Sequence, residues 1–405
     1  MRRVVRSIAI VAVIALVASA CTGGDEDPDR RPNAPSERMR RGGHVRFAVL
    51  GAPSTLDPYS PSASDLTWTL ARPVYPSLYR FGSDGDPRPY LGEVVTSGPD
   101  HAVVRLRDMR WSNGRRITTG DVISSWERAR PPSGFARIRR MVPTDGNTLR
   151  VEGRVSNWET VLASRALVLP AGRARGSVSG GQLGVVDHVP RLKVVYERGP
   201  AGDDVAPDRV TAYFVDSVDI MLSLLETGEI DAAQVPSTVN LAERARHLGL
   251  ELDTVLGSET VVLAGPQAAN VGAALDLPAL HEAFIRSHGE IVGSDRPEVA
   301  PAGPVTLATP SGDELLVLLQ EAIQLQLQER GIAVEIIQPD LETFYSQPQR
   351  YEARLERRVG SGRGPVLPLF RVDSAMVWRP GAVEGVDAVG TPDGPLAGVE
   401  GWWVP

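Results

Sequence analysis

Cysteine occurs once in the 405 residues, at position 21. A single thiol forms no internal disulfide and builds no cysteine-based zinc site. Histidine is also scarce, with 6 residues and no HxxxH or HExxH spacing, so metalloprotease chemistry has no ligand set. Of the 43 basic residues all but Lys193 are Arg, a choice so uniform that it points to a GC-rich genome rather than to many separate sites. Against 50 Asp and Glu they leave a net charge of −7, which argues against a nucleic-acid binder acting through bulk positive charge. Aromatics are few (7 Trp, 8 Tyr, 7 Phe), and no hydrophobic run reaches the roughly 18 residues of a membrane-spanning helix. What is present, 42% hydrophobic and 23% charged residues, is ordinary globular usage over a length that suits two or three domains.

The amino terminus reads as an export signal. Arg2, Arg3 and Arg6 precede a 14-residue run of small and apolar residues, Ser7 to Ala20. That run is too short to cross a hydrocarbon core of roughly 30 Å comfortably and fits a cleaved h-region. It ends Leu16-Val17-Ala18-Ser19-Ala20-Cys21, with the lone cysteine directly after small residues. This resembles the bacterial lipobox, which implies lipidation of Cys21 as the first residue of the mature chain. Loss of the three Arg takes the net charge from −7 to −10. Residues Thr22 to Arg41 (TGGDEDPDRRPNAPSERMRR) lack an apolar period and are rich in Gly, Pro and charge, the composition of a tether.

From Gly42 onward the patterning is that of an ordered body. Apolar residues at 45, 47 and 49 predict a strand, and Gly51 to Pro58 (GAPSTLDP) a turn. Phe81 to Pro87 reads as a hairpin tip and His101 to Leu106 as a strand. Thr118 with Asp121 three residues on resembles a capping box opening a helix to about Ala129. Further on, a strand from Val210, a helix from Ser217 to about Thr227, Gly228 and a strand Ile230–Gln234 form one β-α-β pattern. A second runs through Val305–Ala308, a helix to Arg330, Gly331 and Val334–Ile337. In it Ser311 and Glu314 predict a capping box. Leu315, Leu319, Ile323 and Leu327 predict the inward stripe.

Several phrases in this order resemble one family. They are GGHVRFA leading to TLDP, then VYPSLYRF and DGDPRPYLGE, then RLRDMRWSNGRRITTGDVISSWERA. GGQL through LKVVYER, VTAYFVDS through LLETGEID, and VTLATP through the helix to Gly331–Ile336 continue the match. Together they resemble the substrate-binding lipoproteins of peptide-type ABC importers, the oligopeptide, dipeptide and nickel-binding proteins. The resemblance implies an α/β, two-lobed periplasmic-binding-protein-like fold with mixed sheets and a hinge, plus a small N-terminal subdomain. It assigns 1–20 to the signal peptide and 21–41 to the lipidated cysteine and tether. Lobe I takes 42–63, 183–264 and 350–405, the small subdomain 64–182, and a shortened lobe II 265–349. The shortening falls between Phe344 and Pro368, where Tyr351 to Gly364 is a charged, Gly-rich passage. The family's aromatic hinge phrase is also missing near Val261–Gly265.

Ser54, Thr55 and Asp57 fall in the loop that lies at the cleft in the family, although turn chemistry alone accounts for them. Phe370, Arg371 and Asp373 follow the late strand, where the charged pair faces either the cleft or, as for most charges, solvent. Trp111, Trp126 and Trp158 are expected in the core and Trp402-Trp403 against the first lobe. Arg128, Arg130, Arg137, Arg139 and Arg140 are expected to form a solvated cluster. No catalytic motif stands out: Gly176-Ser177-Val178-Ser179-Gly180 has Val at the nucleophile position, and no phosphate-binding loop occurs. His188 beside Asp187 on a strand points to the opposite face. The expected function is therefore a non-enzymatic, lipid-anchored solute-binding protein on the extracytoplasmic face of the cell membrane. Its expected partners are an ABC permease and a peptide or other small solute, with no cofactor, metal or nucleic acid. The alternative is a degenerate relative without a working pocket that serves as a surface interaction or signalling lipoprotein.

Overall fold

The computed structural model describes residues 41–405 except 83–84, 130–132, 173–177, 239, 286–288, 293–302, 312, 341–342, 345–346 and 360–365. Cys21, the export signal and residues 22–40 of the tether lie outside the described residues, as does Arg130. The body opens with β1 (His44–Leu50), α1 (Asp65–Ala71) and the hairpin β2 (Tyr79–Phe81) and β3 (Pro87–Pro89). Then come β4 (Gly92–Ser97), β5 (His101–Leu106), α2 (Thr119–Arg128), β6 (Ile138–Pro143), β7 (Thr148–Gly153) and α3 (Trp158–Ala163). The middle holds β8 (Leu183–Val189), β9 (Lys193–Arg198), β10 (Arg209–Val215), α4 (Val218–Thr227), β11 (Ala232–Pro236), α5 (Leu241–His247) and β12 (Glu251–Ala264). Next are α6 (Ala268–Ala273), α7 (Leu277–Phe284), β13 (Glu290–Ile291), β14 (Val305–Ala308), α8 (Glu314–Glu329) and β15 (Val334–Ile337). Last are β16 (Ala353–Val359) and β17 (Val366–Trp378).

One mixed sheet of 11 strands runs β15-β14-β16-β12-β17-β11-β1-β10-β9-β8, with β13 on β17; β4-β5-β7-β6 form a separate antiparallel sheet of 4. β14 and β15 pair in parallel around α8, as their patterning predicts. The 210–234 unit differs from expectation in one respect. β10 and β11 both lie parallel to β1, which stands between them, so the crossover by α4 skips a strand. Helix α4 starts at Ser217, whose hydroxyl accepts from the Ile220 N–H, and ends at Gly228 with φ +76°. That left-handed turn is the conformation a glycine adopts without a Cβ clash.

Two other expectations need correction. Helix α8 is capped by Asp313, whose carboxylate accepts from the Leu316 N–H at 3.3 Å, and not by Ser311. The Ser311 N–H is already engaged with the Pro339 carbonyl at 2.9 Å. The charged passage at 351–364 also contains a strand, β16, seated between β14 and β12 in the middle of the sheet. Ala353 and Leu355 are fully buried, and the charges beside them are paired: Arg357 with Asp313 and Glu259, and Glu356 with Arg354 and Arg358. Pairing is what lets charge sit in a half-buried strand.

Among the described residues three large apolar clusters and a small one around Phe344 and Tyr351 organise the body. The first joins one face of β1, β10 and β11 to the four-stranded sheet and to Trp111, Trp158 and Trp402. Trp126 is half-buried and donates to the Ile138 carbonyl at 3.2 Å. The second holds α6, α7 and the buried stripe of α8 against β14, β16 and Val261 and Leu263 of β12. It also takes in Leu369, Phe370 and Val372 of β17, so this core draws on both sides of the lobe boundaries read from the sequence. The third packs α4 and α5 on the other face of β1, β11 and β17, through Ala48, Val235, Ala375 and Val377.

The WSNGRRITTGD segment has a structural role. Asp121 is fully buried at the start of α2 and reaches back to the Thr118 N–H at 2.9 Å. Its carboxylate also accepts from Arg115 at 2.8 and 3.0 Å and from the Ala171 N–H at 2.9 Å. One side chain thus ties a turn, a helix and a distant loop.

Candidate functional site

β12 and β17 are the two long strands of the protein, and they pass from one core to another. Residues 251–256 of β12 pair with 373–378 of β17 beside β11, and 260–264 pair with 366–371 beside β16. The register slips between Leu256 and Thr260. At the slip a Cβ on Gly257 would stand 2.6 Å from the Val372 carbonyl oxygen and 3.0 Å from the Ser374 nitrogen. Only glycine allows the strands to approach this closely. The Arg371 guanidinium donates through Nε to the Gly257 carbonyl at 2.7 Å, satisfying an acceptor that the slip takes out of the ladder.

A pocket opens at this irregularity, with about 360 Å³ of empty space that includes open solvent. Gly257, Ser258 and Glu259 form one wall, and Val372, Asp373 and Ser374 another. Gln234 of β11, Thr69 of α1 and the C-terminal segment around Thr391 complete it. Glu259 is held from behind by Arg357 at 2.6 Å. The described lining has hydroxyls, an amide, two carboxylates and no aromatic ring. Such walls can hydrogen-bond a polar solute. Among the described residues no three His, Cys, Asp or Glu side chains gather as a metal site.

Of the candidates read from the sequence, Asp373 reaches this pocket. It is 6% exposed rather than directed to solvent, a correction that follows from its place at the strand crossing. Phe370 does not line the pocket: it is fully buried in the second core, with the His281 ring 6.1 Å away. Ser54, Thr55 and Asp57 do not line it either. Ser54 donates to the Ser62 carbonyl at 2.8 Å, and Thr55 accepts from the Asp57 N–H at 3.1 Å. Asp57 accepts from the Tyr59 N–H at 3.0 Å and pairs with Arg128 at 2.6 Å. Arg137, Arg139 and Arg140 are exposed. Thr69, Gln234, Glu259 and Thr391 went unseen in the sequence; the one local signal was Gly257-Ser258 interrupting an apolar strand.

The whole arrangement superposes on solved binding proteins. The oligopeptide-binding protein AppA of Bacillus subtilis, solved with a nonapeptide, matches with a TM-score of 0.75 at 13% identity, over 91% of this chain and 100% of that one. The chain has the fold of the oligopeptide-binding type of solute-binding protein. Agrobacterium AgaA (A. tumefaciens R10) with agropinic acid matches at 0.74 and 16% identity, over 90% of this chain and 99% of that one. NikZ of Campylobacter jejuni with Ni(L-His) matches at 0.72 and 13%, over 89% and 99%. No family model matches the chain, and no curated protein matches it in sequence. The α/β, two-lobed fold with mixed sheets expected from the sequence is therefore the fold observed.

Proposed function

We propose that this chain is a lipid-anchored, extracytoplasmic solute-binding protein that passes a peptide or another small solute to an ABC permease. The observation that carries the reading is the pocket at the β12–β17 crossing, in a fold whose solved representatives hold a nonapeptide, agropinic acid and Ni(L-His). Ser258, Ser374, Thr69 and Gln234 supply hydrogen bonds that fix the solute's orientation. Closure of the lobes is favoured only by contacts the solute makes better in the closed state. Transport energy comes from a separate ATPase.

The binding half is tested by thermal-shift screening of the full chain against amino acids, sugars, nickel chelates and peptides. A solute at about 100 times its Kd adds about 2.7 kcal/mol of stability, a measurable rise in melting temperature. A saturable response is expected; a stable chain that responds to nothing would support the surface interaction lipoprotein instead. The anchor half rests on Arg2, Arg3, Arg6, the run 7–20 and Cys21. Among the described residues no helix is long and apolar enough to cross a membrane. Cys21→Ser is expected to move the protein from the membrane fraction to the soluble one, and full membrane retention would contradict the anchor.

A further inference from the structure

The charge of the chain is unevenly placed. Residues 64–182 hold 18 Arg against 11 Asp and Glu, a formal charge of +7, while the rest of the chain, with 25 basic and 39 acidic residues, carries −14. Four of those Arg meet on one edge of the four-stranded sheet, where β6 is the outermost strand, next to β7. Arg137 leads into β6, Arg139 is the extra residue where its register slips against β7, and Arg140 stands opposite Glu152. Arg154 follows directly on Gly153, whose register partner is Ile138, so it comes to the same corner. All four residues are exposed.

None of the four has an ion-pair partner among the described residues. The neighbouring carboxylates are engaged elsewhere: Glu152 with Arg150 at 3.1 Å, and Asp100, whose carbonyl accepts from the Gly153 N–H, with the His101 ring at 2.8 Å. Arg128, grouped with this cluster in the sequence, is held by Asp57 and does not share in it. A sheet edge is blunted by a bulge or a charge, and β6 already has the bulge. Four unpaired like charges exceed that need, and their mutual repulsion persists unless an anionic surface covers them.

We propose that the β6 edge, through Arg137, Arg139, Arg140 and Arg154, is a docking surface for the anionic headgroups of a phospholipid bilayer. The bilayer is the occupant because the export signal and Cys21 put the body beside one, and the inference rests on that anchor reading for its partner. The −14 of the remaining chain is repelled by the same headgroups, so charge turns this edge toward the membrane. A single-stranded nucleic acid needs aromatic platforms for its bases, and no aromatic residue is exposed among the described residues. Docking of this kind holds the tethered body in one orientation on the membrane.

The experiment is co-sedimentation of the chain from Thr22 to Pro405 with vesicles in low salt. The buried residues of the described cores lie between Val45 and Trp402, so this chain keeps them all and carries neither the apolar run nor Cys21. Vesicles of one part phosphatidylglycerol to two parts phosphatidylcholine are expected to bind it, pure phosphatidylcholine is not, and half-molar salt should release it. Each arginine neutralised lowers the partition roughly five-fold, so R137Q/R139Q/R140Q/R154Q loses on the order of 100-fold, with its melting temperature unchanged. R105Q/R107Q, exposed at the opposite end of the same sheet, should bind as the parent does. No preference for the mixed vesicles, or no loss in the quadruple variant, would overturn the docking surface. The same loss per arginine in R105Q/R107Q would assign the binding to bulk charge and overturn the β6 edge. Capture of inorganic polyphosphate without binding to the mixed vesicles would overturn the bilayer as the partner. These chains carry no anchor, so the outcome is independent of the Cys21→Ser fractionation, whose failure defeats the anchor reading alone.

Discussion

Replacing Asp121 with Asn is expected to cost about 2–4 kcal/mol of stability at neutral pH, read as a lower urea midpoint. The carboxylate is fully buried and accepts from the Thr118 and Ala171 backbone N–H groups and from both terminal nitrogens of Arg115. Asn presents an amide N–H₂ where one of those donors points, leaving buried donors unmatched. Arg115 is 44% exposed, so most of the loss is assigned to the buried backbone donors and less to the ion pair. Burial pushes the Asp121 pKa up, but the Arg115, Ala171 and Thr118 hydrogen bonds outweigh it and hold the carboxyl below its ordinary value. A folded-state pKa below the unfolded one gives stability that is present above about pH 4 and is lost as pH falls through the folded value. Parent and D121N should therefore converge in acid. A difference that stays constant down to pH 2 would show that Asp121 acts through shape and not charge.

Trp402→Ala is expected to cost about 3–5 kcal/mol, the range for removing a buried aromatic side chain. Trp402 is 1% exposed and packs against Phe47 of β1 with the rings tilted and their centroids 5.3 Å apart. The same C-terminal segment is pinned by Asp393, whose carboxylate pairs with Arg72 at 2.7 Å and accepts from the Phe81 N–H at 3.1 Å. Because Thr391 and Gly394 belong to the pocket wall, loosening this segment should weaken solute binding as well as stability. A loss below about 1 kcal/mol would mean that the tail only covers a core that is complete without it.

The parts of the fold legible in the sequence are those fixed by neighbours along the chain. Ser217 and Gly228 bracket α4, Gly331 adopts the left-handed turn after α8 with φ +77°, and Val45, Phe47 and Val49 alternate in β1. The misread parts depend on distant residues. In β16 four of seven residues are charged, so the period-2 pattern of Ala353, Leu355 and Arg357 looks like surface. Glu356 pairs with Arg354 and Arg358 within the strand, but Arg357 is neutralised by Glu259 and Asp313, whose positions no local rule connects to it. The same applies to β1 standing between β10 and β11, since strand order is a long-range property. The pocket suffers most: its walls come from α1, β11, the β12 slip, β17 and the C-terminal segment. Asp373 was legible only because a charge follows an apolar strand there, while Phe370 shares the strand and turns into the core.

The measurement that bears most directly on the account is titration calorimetry of a solute found by the thermal screen, on the parent and on Ser374→Trp. Ser374 is partly exposed at the pocket wall, so an indole there would obstruct the pocket. The account predicts one solute per chain for the parent and a loss of at least about 100-fold in affinity for S374W, with little change in melting temperature. Equal affinity in the two proteins would place the solute elsewhere and contradict binding at the strand crossing.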